Sequence, residues 1–431
     1  MPRVQVRPKH RRLGLALLGC VLTLNFQSAQ GASTWWKGNL HTHSLWSDGD
    51  DYPEMIVSWY HEHGYHFLSL SDHNRMLVGQ HWVDALTNRG GEAALQKYSK
   101  RFGPTGVETR EKDGRRQVRL RTLEEFRGEF EKPGKFLLIP GEEISDHFES
   151  LPIHMNASNL RDLIRPQGGK SAAEVIQNNV NAVLDQRKKT GQPMVPHINH
   201  PNFIWALTAE DIVSVQGDRF LEIFNGHPIT KNEGDAEHAG AERIWDIVLT
   251  RRLAELGLEP IWGTAVDDSH NYHRMKVGDS NPGRGWLMVR AAELTPAAII
   301  EAMEKGDFYA SSGVRLKEVR RGPKELAIEI EPESNVTYTT QFIGTRQGYD
   351  PKSEPITKDG KTVRATRRYS KDIGTVLAEV KGLTAAYRLK GDEIYVRARV
   401  VSSKLKENPC VDGDFETAWV QPAIGLKRLK R

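Results

Sequence analysis

The chain has 431 residues, 38% of them apolar and 27% charged, the profile of a soluble globular protein too long for one core and expected to hold a main domain and a smaller one. Its formal charge of +4 is misleading. Residues 1–31 carry five cations (Arg3, Arg7, Lys9, Arg11, Arg12) and no acid, which leaves −1 for the rest and excludes the basic field that an extended nucleic-acid track would need.

In chain order, the basic start, the apolar run 13–26 and Ala29-Gln30-Gly31 as a small-x-small site predict a secretory leader over 1–31. A run of fourteen residues falls short of the about 20 that span a bilayer, so no stable membrane span is expected after cleavage. The protein is expected to be exported, periplasmic or extracellular, and Arg11-Arg12 permits twin-arginine export. Cys20 would leave with the leader. Cys410 then stands alone and no internal disulfide can form.

Short β-prone runs follow at 36–40, 67–70, 136–139, 194–197, 220–224, 260–266 and 285–289. Helical patterns lie between several of them. One begins at Asp51 with Glu54 three residues on, a capping-box-like start, and stops at Gly64; another has Thr295-Pro296 before 297–305 and Gly306 after it. Two longer inserts interrupt the alternation. The first, 82–135, reads as a solvated helical excursion or a mobile lid, and the second, 159–192, carries a plain helix over 171–189. Strand and helix in alternation argue for a parallel sheet that about seven strands would close. The fold class expected is therefore α/β: a distorted seven-stranded β/α (TIM-like) barrel over 32–314. Beyond Ser312-Gly313 the polar, turn-rich strands at 326–330, 336–342, 375–380 and 394–401 predict a β-rich appendage over 315–431.

The chemistry sits at the ends of these runs. His41 and His43 are i and i+2, as are Asp268 and His270, and such pairs share one face of a strand. Asp48, SDHN at 71–74, GEE at 141–143, PIHMN at 152–156 and PHINHP at 196–201 complete the pattern. Placement at the C-terminal ends of strands is where α/β barrels build active sites. Mixed imidazole and carboxylate donors suit borderline cations such as zinc, manganese or iron. The donor pool exceeds the needs of one ion and points to two or three divalent metal ions sharing a bridging group.

Taken in order, HTHSLWSDG, SDHN, the GxE of Gly141-Glu142-Glu143, His200-Pro201 and Asp268-Ser269-His270 resemble the polymerase and histidinol phosphatase (PHP) metallohydrolases over roughly residues 36–313. The resemblance implies a distorted seven-stranded barrel and, most often, phosphoesterase activity. It also implies ligand roles: His41, His43, Glu143 and Asp268 around one metal; Glu143 bridging to a second held by His154 and His200; and Asp48, His73 and His270 around a third. Two positions stay open, Glu142 against Glu143 and His197 against His200. His197 is the candidate general acid. Arg75, Arg274 and Lys276 adjoin the motifs as candidate phosphate clamps, although ordinary surface charge accounts for any one of them.

The substrate expected is a small phosphorylated molecule, a nucleotide or nucleic-acid end included. An apolar pocket lined by Trp35, Trp46 or Trp205 would instead favour an amide or carbamate, attacked by the same kind of hydroxide. The reading from another class is a non-catalytic binding scaffold.

Overall fold

A computed structural model describes residues 1–2, 33–103 and 106–425. The leader expected over 1–31 lies, but for Met1 and Pro2, outside the described residues, as does Cys20.

Ten strands surround the motifs: β1 (Thr34–Asn39), β2 (Phe67–Leu68), β3 (Leu137–Leu138), β4 (Gly141–Phe148), β5 (Leu151–Ser158), β6 (Val195–Ile198), β7 (Phe220–Asn225), β8 (Trp262–Val266), β9 (Trp286–Ala291) and β10 (Phe308–Ser311). Seven further strands matter beyond position 314: β11 (Leu316–Arg321), β12 (Glu325–Ile330), β13 (Tyr338–Arg346), β14 (Thr375–Lys381), β15 (Thr384–Arg388), β16 (Glu393–Leu405) and β17 (Phe415–Ile424). They form a nine-stranded sheet of order β14-β13-β16-β17-β10-β9-β1-β2-β3, a five-stranded sheet of order β8-β7-β6-β5-β4, and a three-stranded sheet β11-β12-β15.

The closed barrel expected from the strand count is not found. β1, β2 and β3 pair in parallel, as do β6, β7 and β8, but β4, β5 and β6 are antiparallel neighbours and β9 runs antiparallel to β1. With β2 and β3 only two residues long, the seam between the two main sheets shrinks to the isolated bridges Thr42↔Ser269 and His73↔Glu143. Both bridges lie at strand ends that carry the histidine and carboxylate motifs.

The β-rich C-terminal part is present, and it continues the main sheet. β10 pairs antiparallel with β17 across the 314/315 position where a boundary was expected. A buried ion pair adds a second tie: Arg397 on β16 donates from Nε and Nη2 to both oxygens of Asp246, at 2.7 and 2.8 Å. Asp246 lies on helix α6, the sixth of seven α-helices among the described residues: α1 (Pro53–Glu62), α2 (Gly91–Phe102), α3 (Leu123–Phe130), α4 (Ala172–Thr190), α5 (Ala209–Ile212), α6 (Ala241–Arg251) and α7 (Pro296–Glu304). None is long and apolar enough to cross a membrane.

Local start signals work unevenly. Thr295 caps α7 through the Ala298 N–H with Pro296 in the first turn, and Ser171 caps α4 through the Glu174 N–H. The capping box expected from Asp51 and Glu54 does not form. α1 starts at Pro53 after Tyr52, Asp51 pairs with Lys97, and Glu54 accepts from the Tyr98 hydroxyl at 2.8 Å. Lys97 and Tyr98 belong to the first insert, which is neither a solvated excursion nor a free lid. It folds as α2, α3 and a three-stranded sheet (His81–Asp84, Thr109–Lys112, Arg115–Leu120), and buries Leu95, Tyr98, Phe126 and Phe130 in one core with Tyr52, Ile56 and Tyr60 of the α1 region. At about 25 cal/mol per Å² of apolar surface, such burial outweighs a capping hydrogen bond of about 1 kcal/mol.

A candidate metal centre at the sheet seam

The two single bridges position the site. At the first, the His43 N–H donates to the Ser269 carbonyl and the Asp268 N–H to the His41 carbonyl, each at 3.0 Å, so the loops leaving β1 and β8 run side by side. Asp268 takes a left-handed backbone, φ 48°, which an aspartate tolerates better than most side chains. At the second, the Glu143 N–H donates to Asp72 O and the Asn74 N–H to Glu143 O, at 3.2 and 2.8 Å, joining the end of β2 to β4. Asp72 also ties down the 43–48 loop, accepting from Ser44 N–H and both Ser44 and Ser47 hydroxyls. Gly49 closes that loop where no side chain fits: a Cβ there would lie 2.5 Å from the His43 carbonyl oxygen.

Four ligand-type atoms converge as a result. His41 Nε2 lies 3.5 Å from Glu143 Oε2 and 3.2 Å from Asp268 Oδ1; His43 Nε2 lies 3.3 and 3.1 Å from the same oxygens. Donors about 2.1 Å from a shared tetrahedral ion stand about 3.4 Å apart. His41 Nε2 and His43 Nε2 are buried and make no hydrogen bond, a cost of about 1–3 kcal/mol each unless a cation is their partner, and His73 Nδ1 stands 2.8 Å from Glu143 Oε2. The residues fit a divalent metal.

The other oxygen of Glu143 faces a second set. Oε1 lies 3.1 Å from His154 Nδ1 and 3.3 Å from His200 Nε2, and accepts from Asn199 Nδ2 at 2.8 Å. A third set gathers around Asp48 Oδ1, with His270 Nε2 at 3.3 Å, His73 Nε2 at 3.6 Å and His43 Nδ1 at 3.6 Å. All nine positions expected to bind metal therefore lie in one continuous cluster.

The two open positions separate by side-chain direction. Glu142 points away from the cluster, accepts from the Ile164 N–H at 2.6 Å, and is pushed up to about 8 by burial. His197 does not face Glu143; it is buried, its Nε2 meets Glu222 Oε1 at 3.2 Å, and with His41 and Glu222 it forms a separate group of ligand-type atoms. Among the candidate clamps, Arg274 pairs with Asp279 at 2.7 Å and Lys276 lies 3.9 Å from the same residue, while Arg75 is exposed on the turn after His73. Trp35 packs edge-on against Tyr309 in the C-terminal core, away from the cluster. Trp46 is buried and Trp205 stacks on His238 at 4.0 Å.

Two residues that sequence reasoning passed over belong here. Glu222 on β7 accepts from His41 Nδ1 at 2.7 Å through Oε1, and from the His200 N–H (2.8 Å) and Asn225 Nδ2 (2.9 Å) through Oε2. Asn225 passes the contact on to Asp268 Oδ2 at 3.1 Å. One carboxylate thus orients three of the ligand positions, the arrangement by which outer carboxylates fix an imidazole's tautomer. Its signal was a lone acid inside the apolar run FLEIFN, which a fully buried strand does not carry without a partner. The other is Arg89, from the first insert, whose Nη2 lies 3.6 Å from Asp48 Oδ2.

Protons and cations compete for this cluster. Burial alone would lower His73, but Glu143 and Asp48 outweigh it and lift the ring to about 9; carboxylates likewise outweigh burial at His41, His200 and His270 and move each upward. Burial, with His270 and His73 beside it, takes His43 down to about 3. Glu143 and Asp268, which burial would raise, are held well below the usual range by the surrounding histidines. His73, lifted to about 9, carries a proton at neutral pH that a metal must displace. Zinc affinity is expected to rise from pH 6 to pH 8, by roughly ten-fold per pH unit for each proton displaced. Competition against a chromophoric chelator measures it, and a flat profile would contradict the exchange.

No protein-family model matches the chain, and no curated protein matches it in sequence. Among solved structures it is similar to a two-domain protein from Bacteroides vulgatus containing a predicted PHP-like metal-dependent phosphoesterase, at 14% identity and TM-score 0.37, covering 90% of this chain and 95% of that one. A presumed metal-dependent phosphoesterase from Bifidobacterium adolescentis matches at 13% identity and TM-score 0.27 over 54% of this chain and 87% of its own. An amidohydrolase from Chromobacterium violaceum, solved with bound sulfate and no metal, matches at 13% and 0.28 over 55% and 88%.

Proposed function

We propose that the chain is a PHP-type metal-dependent hydrolase holding two or three divalent ions (zinc, manganese or iron) and acting on a small phosphate ester. The observation that carries this reading is Glu143, whose two oxygens face separate sets of histidine donors, Oε2 those of His41, His43 and His73 and Oε1 those of His154 and His200, at 2.8–3.5 Å. When bound, the ions supply a water acidic enough to act as hydroxide near neutral pH and offset charge on the group under attack. The chain's own part is to hold neutral imidazoles and ionised carboxylates in register and to place one cation at the rim. Arg89 is that cation: 63% of its side chain is exposed, and a guanidinium binds two phosphate oxygens at once. Export belongs to the same proposal; it rests on the leader-like sequence of 1–31 and is checked by the N-terminus of the secreted chain.

A carbonyl substrate, an amide or carbamate, is the second reading. It is favoured by Phe203, whose ring lies 5.1 Å from His200 and 5.9 Å from His154, and by Ile204 beside it, 55% exposed in a left-handed backbone. A screen of metal-reconstituted protein against phosphate esters, nucleotides, amides and carbamates separates the readings. Phosphate esters are expected to turn over, with Arg89→Ala raising KM about ten-fold and leaving kcat within a few-fold, the loss of one exposed charge-assisted contact. Turnover of carbonyl substrates alone overturns the phosphate assignment, and no metal-dependent turnover of any class leaves the scaffold reading.

A further inference from the structure

His227, on the turn that leaves β7, stands beside the cluster without belonging to its three donor sets. Its ring lies 5.3 Å from that of His270 and nearly perpendicular to it, at 85°, and Asp268, His200 and His41 are close enough to act on its charge. The turn is pinned to the ligand network. The His227 N–H donates to Asn225 Oδ1 at 2.8 Å, while Asn225 Nδ2 donates to Glu222 and Asp268, and the His227 carbonyl accepts from the Thr230 hydroxyl at 2.8 Å. The tautomer is set within the same turn. The Ile229 N–H donates to His227 Nδ1 at 3.3 Å, so the ring is neutral and carries its proton on Nε2. That Nε2 has no hydrogen-bond or ion-pair partner among the described residues, and the half-buried ring does not seal it in the interior as Nε2 of His41 and His43 are sealed. A fixed N–H donor at the edge of a metal cluster, with no acceptor from the protein, is placed for an acceptor that arrives with the ligand.

Building on the hydrolase reading, we propose that His227 is a substrate-contacting residue whose Nε2–H donates to a nonbridging oxygen of the phosphoryl group. The neutral ring binds and orients the anion and transfers no proton. Its anchor differs from that of Arg89. Arg89 comes from the first insert and reaches the cluster at Asp48, whereas His227 comes from the end of β7 and reaches it at His270. Donors held on separate anchors fix the orientation of a tetrahedral anion, where a single one would only attract it. A phosphoryl group has oxygens enough for the ions, Arg89 and His227 at once; an amide carbonyl offers one.

The test titrates inorganic phosphate into the metal-loaded full chain at pH 7 by isothermal calorimetry, with elemental analysis of each variant. His227→Phe keeps the ring and removes the donor. It is expected to weaken phosphate binding about ten-fold or more, the loss of a hydrogen bond to a charged group, and to raise KM for phosphate esters in step while metal content stays at the wild-type level. His227→Gln, which presents an N–H donor near the position of Nε2, is expected to bind phosphate within about three-fold of the wild type. Equal affinity in the wild type and His227→Phe overturns the proposal. So does loss of metal from His227→Phe, which would make the ring a ligand, and so does equal weakening in both variants, which would make it a packing residue. The two readings fail differently: a wild type that binds phosphate as tightly as His227→Phe and turns over its esters removes His227 alone, whereas a wild type that neither binds phosphate nor turns over any ester removes the phosphate reading and this proposal with it.

Discussion

Glu143→Gln is expected to lower turnover of the best substrate by about 1000-fold or more, the several kcal/mol that a metal ion contributes to a charged transition state. The reason is positional. Glu143 is fully buried and presents Oε2 to His41 and His43 and Oε1 to His154 and His200. An amide of the same shape keeps one acceptor, puts an NH2 group where an acceptor is needed on the other side, and removes the charge that both donor sets share. Glu142→Gln is the matched control. That side chain, raised to about 8 by burial, is protonated at pH 7 and accepts one backbone hydrogen bond, so a neutral amide replaces a neutral acid and activity should stay within about three-fold. Metal content by elemental analysis should fall in the first variant and hold in the second. Equal behaviour of the two would remove Glu143 from the centre of the site.

The second large effect belongs to a residue that touches no substrate. Glu222→Gln should weaken metal binding by about 10–100-fold, the usual cost of losing an outer carboxylate partner. Oε1 accepts from His41 Nδ1 and Oε2 from the His200 N–H and Asn225. An amide satisfies one side and turns a donor toward donors on the other. His41 then loses the partner that fixes its Nδ1–H tautomer and leaves Nε2 free for a cation. Chelator competition measures the affinity. A positioning role predicts in addition that the pH midpoint of binding moves, because Glu222 is among the carboxylates that raise His41 and His200. A purely structural role would lower thermal stability and leave that midpoint in place.

How far the site was legible depended on which physical rule bore on each residue. His41 with His43, and Asp268 with His270, could be paired from spacing alone because a strand repeats every two residues. The choice between Glu142 and Glu143 could not, since it turns on a register that only the β4–β5 ladder sets, with Glu143 opposite Asn156 and Glu142 opposite Ala157. Glu222 stands 181 residues from the histidine it orients, and its neighbours in sequence say only that it lies on a strand. Asp51 and Glu54 misled because a local capping signal worth about 1 kcal/mol yields when an insert can bury its aromatics over the same helix.

The sequence by itself determined the donor chemistry, the leader-like start and the alternation of strands and helices, all properties of residue type and short-range period. Tertiary structure alone decided that the sheets meet through two single bridges instead of a closed barrel, that the C-terminal strands extend the main sheet, and which oxygen of Glu143 faces which imidazole. Those outcomes depend on contacts between separate segments of the chain, where ladder register and burial settle what local preference leaves open.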